Sequence, residues 1–553
     1  MNARDPKFSN LPIDFDFAEI ERTQLQIKAF LNRKIGLSLP IIETCRTNNG
    51  GILRLEELKI QLSKMTEFGD YGLFIPAAGA ASRYFSGFSD LLLALSNFIL
   101  EYNSKTIPVA ISTQQTEKFK KTILSIMNSW DIDKLLQLAL PELLRDLIKQ
   151  KHFSKWTFEN FESLFKQLNL AKALQPALIS GENYLQIKIT EASILNGLKA
   201  IFFVAPFDQS EAFKDFLQKN PQSLDCQIYF PEQGSQLSTL RFKDDGEFYL
   251  DQNGHCTLVP AGHGALTKLF TSIKRAHPHL KSLFIINIDN IIGTSSSVIK
   301  QRENLIKLHQ VILAEFENIR SALKDKNLKL AEDFSKNIFE LLTPDCADNR
   351  NEIFNFNLST YRPSEATSAL AQEHPFLFMV QEKLVHTPFM LINGIKGVDD
   401  LYRLYKRPVN VLGQVPNSGK DVGGTPLWAR DGSDIVKICL ELPHMAENDR
   451  TEIFSNTEKA THYNPGFVAA ELVDDSVYAA ARDDFWILAK KQYRGDTVLY
   501  KETVLYEILG NSKYANVFFL EIPRLLFNPH KSVEDTINNT REKFKLSFPL
   551  TKN

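Results

Sequence analysis

Four short segments of this 553-residue chain carry side chains whose types and spacing could handle phosphate. In PAAGAASRYF (Pro76–Phe85), small residues follow the apolar run Leu73–Ile75. Such a turn can wrap a phosphate with its N–H groups pointing inward. Arg83 would add a fork of donors; the plainer alternative is a tight strand-to-helix turn with a solvated arginine. In LNLAKALQPALI, Lys172 could neutralise phosphate as a point charge, or could simply be a surface lysine. In LVPAGHGALTKLF, Gly262 and Gly264 flank His263, which would let a base or ribose lie against bare backbone. An ordinary turn with an incidental histidine explains the same pattern. In LFIINIDNII, Asp289 ends a very apolar run, and a carboxylate placed there needs a cation or a set of donors. A Mg²⁺ ion shared with substrate phosphates would serve, and a helix cap or turn aspartate is the alternative. His462, in THYNP, is a further candidate metal ligand or catalytic group, set against a structural role.

The elements that must position these residues alternate in type. Leu73–Ile75, Ala200–Pro206, Cys226–Phe230 and Leu283–Asp289 read as strands, and so do Asn410–Val415, Ile435–Leu442 and Val517–Ile522. ASILNGLK and ALTKLFTSIKRA read as helices between them. This alternation predicts an α/β fold with a doubly wound, mostly parallel, Rossmann-like sheet. In such sheets ligands bind at the carboxyl edge of the strands, which is where Asp289 falls. Asp16–Lys64 reads as helical. Two long helical segments, Thr116–Leu168 and Glu303–Leu342, read as insertions, with Pro141 breaking the first. The expected organisation is an N-terminal helical region (1–66), a catalytic domain (67–470) with insertions near 100–168 and 300–375, and a C-terminal region (471–553) completing or flanking the sheet.

Composition excludes several classes. A net charge of −2 argues against bulk electrostatic binding of nucleic acid. Five scattered cysteines without a CxxC pair fit reduced thiols rather than disulfides or zinc. The N-terminus lacks a signal-peptide pattern, and no apolar run approaches about 20 residues. A soluble cytoplasmic protein without membrane partners is expected. GxxxxGK[ST] and GxSxG are both absent, which leaves P-loop and serine-hydrolase chemistry unsupported.

Taken in order, the four segments resemble the sugar-nucleotide pyrophosphorylases, nucleotidyltransferases of the GT-A-like fold. Their signature loop L-A-x-G-x-G-T-R-[ML] is matched at Gly79, Ser82 and Arg83. P-x-G-[HN]-G is matched at Pro260, Gly262, His263 and Gly264, and N-x-D-N at Asn287, Asp289 and Asn290. EQGSQLST lies where that group has a glutamine contacting uracil, which makes Gln233 the counterpart. Most of the chain is similar to a bacterial family known as domain of unknown function 4301. RPVNVLGQVPNSGKDVGGTPLW (Arg407–Trp428) and THYNP (Thr461–Pro465) add two further motifs. The sequence departs from these patterns at Ala81, Tyr84, Gln175, Ala177, Lys420, Asp421 and Thr425.

The resemblance implies that a sugar 1-phosphate attacks the α-phosphorus of a nucleoside triphosphate, UTP favoured, and expels pyrophosphate. Arg83 and Lys172 would be catalytic. Gly79, Ala80, Ser82, Gln233, Gly262, His263 and Gly264 would bind the nucleotide. Gly423, Gly424 and Asn464 would take the sugar side, and Asp289 the Mg²⁺. The attacking oxygen is already ionised, so catalysis reduces to alignment and charge neutralisation. A glycosyltransferase of the same fold would usually show Asp-x-Asp, and Asn287-Ile288-Asp289 supplies one carboxylate. A non-catalytic nucleotide-binding protein is the remaining alternative.

Overall fold

The computed structural model describes residues 5–529 except 13–14, 16, 33–38, 59–68, 80–84, 86–87, 104–112, 151–155, 178–180, 222–223, 344–364, 418–423, 456–459, 475 and 494–495. Nine strands form the main sheet among these residues. In chain order they are β1 (Tyr71–Pro76), β2 (Leu198–Pro206), β3 (Gln227–Tyr229), β4 (Glu232–Gln233), β5 (Ser282–Ile285), β6 (Val409–Pro416), β7 (His462–Tyr463), β8 (Val468–Glu471) and β9 (Asn516–Glu521). The spatial order is β7-β6-β8-β5-β1-β2-β3, with β9 beside β6 and β4 beside β2. Five neighbouring pairs are parallel: β1–β2, β1–β5, β2–β3, β2–β4 and β6–β9. Only β8 and β7 run against their neighbours.

The apolar strands are buried on both faces because both faces are covered. Along β1, Leu73 and Ile75 enter one core while Phe74 enters the other. Side chains that alternate across a strand produce this division. The first core packs under the helix Ser296–Lys324 and under the helices between Ser89 and Leu168. The second lies under the helix Leu269–Ala276 and a three-stranded antiparallel sheet of Ile41–Thr44, Thr425–Asp431 and Asp434–Leu440. A small cluster joins the N-terminal residues Phe8, Ile20 and Ile27 to Phe242, Trp486 and Leu499.

The mixed α/β architecture with a mostly parallel central sheet agrees with the sequence pattern, and several elements differ in detail. The strand around Ile435 belongs to the small antiparallel sheet and not to the main one. Helix in the N-terminal region covers Phe17–Leu31, whereas Ile41–Thr44 is a strand against Thr425–Asp431. The helix expected over ASILNGLK ends at Ala192; a turn with Gly197 at φ +74° then leads into β2. Strand β8 had no counterpart in the sequence reading, because VAAE is short and carries no strong alternation. No helix among the described residues is long and apolar enough to cross a membrane.

Buried His309, on the helix Ser296–Lys324, places Nε2 3.0 Å from the Val409 carbonyl oxygen and so anchors that helix to β6. Burial holds its pKa below the ordinary histidine value. The unfolded chain therefore takes up this proton first, near pH 6.5. Stability from this group is complete above that pH and is lost as pH falls through the folded-state pKa. Melting temperature should drop between pH 7 and pH 5, and it should drop less in His309→Gln. Equal pH profiles for the two proteins would refute this.

Candidate functional site

Strands β1, β2, β5, β6 and β9 all run one way, so their carboxyl ends share one edge. The chain leaves β1 through Ala77, whose N–H donates to the Val204 carbonyl at 3.1 Å. Exposed Gly79 follows, and its carbonyl accepts the Lys172 N–H at 3.1 Å. That bond draws the segment after the first helical region onto the loop after β1. Gln209 fixes the same segment, its Oε1 accepting the Ala171 N–H at 2.6 Å. Gln175, 1% exposed, donates from Nε2 to the Gln167 carbonyl at 2.7 Å.

Lys172 is thereby held in a short buried 3₁₀ turn, Lys172–Leu174. Its Nζ lies 3.2 Å from Asp289 Oδ2 and 5.4 Å from the centre of the Tyr184 ring. Asp289 sits in the turn after β5, with about a quarter of its side chain exposed. Gly79, Lys172 and Asp289 are thus brought together from three distant parts of the sequence. Asn287, half-buried in the same turn, donates to the Pro465 carbonyl at 3.4 Å.

A second group gathers around Gln233 and the Gly262–Gly264 turn. Gln233 stands opposite Pro206 at the end of β2. Strands Ser238–Leu240 and Leu258–Pro260 pair antiparallel and return the chain to the turn. His263 is exposed. The two glycines have a packing cause that the sequence did not reveal. Gly262 has φ +89°, and a Cβ there would lie 2.7 Å from the Thr503 carbonyl oxygen. A Cβ on Gly264 would meet Val504 N at 2.9 Å. What lies against this backbone is the chain's own strand Asp496–Thr503, tied by the Thr503 N–H to the Ala261 carbonyl at 2.7 Å.

The third group is Gly424 and Asn464, joined by Asn464 N–H to Gly424 O at 2.7 Å. The Asn464 amide is fully engaged by backbone. Nδ2 donates to Gly413 O at 2.8 Å and Phe467 O at 3.1 Å, and Oδ1 accepts the Gly466 N–H at 2.8 Å. Its side chain braces the turn between β7 and β8. His462 is likewise engaged at both nitrogens: Nδ1 with Thr461 Oγ1 and Nε2 with Glu521 Oε2, each at 2.8 Å. Burial lowers the pKa of its imidazole, with Glu521 acting against the shift. Ala80, Ser82, Arg83 and Gly423 lie outside the described residues.

Among the described residues, no three carboxylate, imidazole or thiol groups converge as a metal cage. Among the described residues, Asp289 belongs to no such group. Mg²⁺ is commonly held by one or two carboxylates together with substrate phosphates, and a partly exposed carboxylate suits that arrangement.

Sequence reasoning passed over two charged residues beneath Asp289, Lys188 and Glu191. The signal was present in YLQIKITEA, which places a Lys and a Glu on a helix face otherwise made of Tyr184, Leu185, Ile189 and Ala192.

The fold and site define a mixed α/β protein that gathers a lysine, a glycine loop and an aspartate at the carboxyl edge of a mostly parallel sheet. Residues 16–360, more than half of the chain, match a family described as a domain of unknown function (DUF4301), and the chain belongs to that family. No curated protein matches it. Among solved structures it is similar to a UDP-glucose pyrophosphorylase mutant from Leishmania major in complex with UDP-glucose, at 12% identity over 93% of this chain and 74% of that one, with a TM-score of 0.43. It is also similar to a UDP-glucose phosphorylase from Trypanosoma brucei, at 12% identity over 94% and 74% of the two chains, with a TM-score of 0.43.

The two glycine environments predict opposite outcomes. Gly262→Ala should cost about 1–3 kcal/mol, because a strained φ and an unyielding backbone oxygen coincide. Gly79→Ala, whose Cβ would meet no described atom within 4 Å, should stay within about 0.5 kcal/mol of wild type. Chemical denaturation measures both, and the reverse ranking would overturn this assignment.

Proposed function

We propose that this protein is a nucleotidyltransferase that joins a nucleoside triphosphate, UTP favoured, to a sugar 1-phosphate with release of pyrophosphate. The observation that carries the reading is the meeting of Lys172 and Asp289, 3.2 Å apart, beside the Gly79 loop at the carboxyl edge. A buried ammonium and a partly exposed carboxylate at that edge suit a polyphosphate and its cation.

In the proposed reaction a phosphate oxygen of the sugar 1-phosphate bonds to the α-phosphorus. The bond from that phosphorus to the bridging oxygen of the β-phosphate breaks, and pyrophosphate leaves with the electron pair. No proton need be removed from the nucleophile, so the residues act by alignment and charge. Lys172 donates to the phosphates, and Arg83 with the Gly79–Ser82 backbone surrounds them. Asp289 would hold Mg²⁺, which supplies neutralisation of charge on the substrate phosphates. Gln233 and His263 take the base and ribose, and the glycines on either side of His263 act by letting that turn close on the strand Asp496–Thr503. Gly423, Gly424 and Asn464 form the sugar side, with Asn464 acting through the turn it braces. The Lys172–Asp289 pair keeps both charges compensated until a polyphosphate takes the ammonium.

Thermal shift with Mg²⁺ and each common triphosphate or UDP-sugar tests the pocket. A ligand at about a hundred times its Kd stabilises the fold by about 2.7 kcal/mol. One nucleotide should give a Mg²⁺-dependent shift, weakened in Asp289→Ala. In a pyrophosphate-release assay, Lys172→Met should lower kcat/KM by the equivalent of about 2–4 kcal/mol. Binding without turnover would indicate a non-catalytic nucleotide-binding protein. Unchanged turnover in Lys172→Met would end the assignment of that residue.

A further inference from the structure

Directly beneath the Asp289 turn lies a cluster of buried charges that the proposed chemistry does not use. Lys188 and Glu191 project from the helix Tyr184–Ala192 and are 0% and 1% exposed. Lys188 Nζ donates to Glu191 Oε2 at 2.7 Å and also to the Asn290 backbone carbonyl. The other carboxylate oxygen, Glu191 Oε1, accepts the N–H groups of Ile292 at 2.8 Å and Gly293 at 2.9 Å. Arg302, fully buried, donates from Nη1 to the Glu191 backbone carbonyl at 3.2 Å and so satisfies the carboxyl end of that helix. Asn290 completes the arrangement: its Nδ2 donates to Leu526 O at 2.9 Å, and its Oδ1 accepts the Asn528 N–H at 2.7 Å.

Every one of these bonds ends within residues 290–293 or on the groups that hold them. Asp289 is the residue immediately before. Packing a helix against a turn requires only apolar contact. A buried lysine and a buried carboxylate are costly to desolvate, and burial does push the Lys188 ammonium below the ordinary lysine range while Glu191 draws it back. What the charges add is direction: two N–H groups and one carbonyl of the turn are each fixed at a stated atom.

We infer that the Lys188–Glu191 pair is the positioning element of the Asp289 turn, setting where that carboxylate stands for a divalent cation on substrate phosphates. The inference rests on the reading of Asp289 given above. Neither residue touches substrate; both act through the backbone of residues 290–293. The same turn presents Asp289 to Lys172, so the pair also fixes the spacing of the two charged groups at the sheet edge.

Glu191→Gln is the decisive variant, because its amide oxygen can still accept the two N–H groups while the ion pair is lost. Mn²⁺ serves as the probe, followed by electron paramagnetic resonance in the presence of UTP, and UTP binding is measured separately in EDTA. Outer partners of metal ligands typically contribute about 10–100-fold to metal affinity. Glu191→Gln and Lys188→Met should each weaken Mn²⁺ binding about tenfold or more and leave metal-free UTP affinity within about twofold. Lys188→Arg, which can still donate to both acceptors, should recover part of the loss. A general loss of packing would not separate the two affinities.

In wild type, the amides of Ile292 and Gly293 should exchange slowly with solvent even without ligand, an observation that needs no variant to fold. Rapid exchange there would overturn the inference. So would unchanged Mn²⁺ affinity in folded variants, while Asp289→Ala still abolished it. Failure of wild type itself to bind Mn²⁺ with UTP would instead overturn the nucleotide reading, and this inference with it.

Discussion

A carboxylate cannot remain charged in an apolar interior without donors, and the Glu191 carboxylate has three. Two of them are backbone N–H groups of one turn, so satisfying the charge fixes the path of the chain after β5. The lysine that completes the set closes the same turn from its other side. Asp289, Asn287 and their neighbours at the sheet edge inherit their places from this arrangement. The first helical region reaches the edge by different means, through the Gly79 carbonyl and the Gln209 amide, and delivers Lys172 opposite.

The sheet that carries these loops keeps a shared carboxyl edge despite an antiparallel strand in its middle. Strand β8 pairs with β5 on one side and β6 on the other, both in reverse. Two reversals restore direction, so β6 and β9 end on the same edge as β1, β2 and β5. Strands β7 and β8 both run antiparallel to β6, and the turn between them packs closely against that edge. Gly466 permits this: it has φ +91°, and a Cβ there would strike the Asn287 amide. The Asn464 amide closes the turn from within.

Much of this was legible in the sequence. The runs around Leu73, Ile201 and Phe284 are apolar at every position because both sheet faces are covered, and that signal survives without any tertiary information. Asp289 could be placed at the strand end by the same run. The sequence could not distinguish the Ile435 strand as part of a separate sheet, since alternation does not say which partner a strand will find. It could not expose β8, whose four residues carry little pattern. Gly262 and Gly264 were visible as glycines, but their cause, the strand ending at Thr503, lies about 240 residues away. Lys188 and Glu191 stood in plain view on an apolar helix face, and a charged pair three residues apart ordinarily signals a solvated surface.

Leu53 and Leu520 have a consequence for how the chain comes into being. The Leu53 N–H donates to Phe519 O, and the Glu521 N–H donates to Leu53 O, each at 2.8 Å. Strand β9 also supplies the parallel partner of β6. During synthesis the flank of β6 therefore stays open until residues 516–521 have left the ribosome. At about 5–20 residues per second, the 99 residues between β6 and β9 (417–515) correspond to several seconds or more in which an unpaired apolar edge is exposed. The demand this fold makes on chaperones is thus concentrated late in translation, after the loops that carry Gly79, Lys172 and Asp289 have already been made.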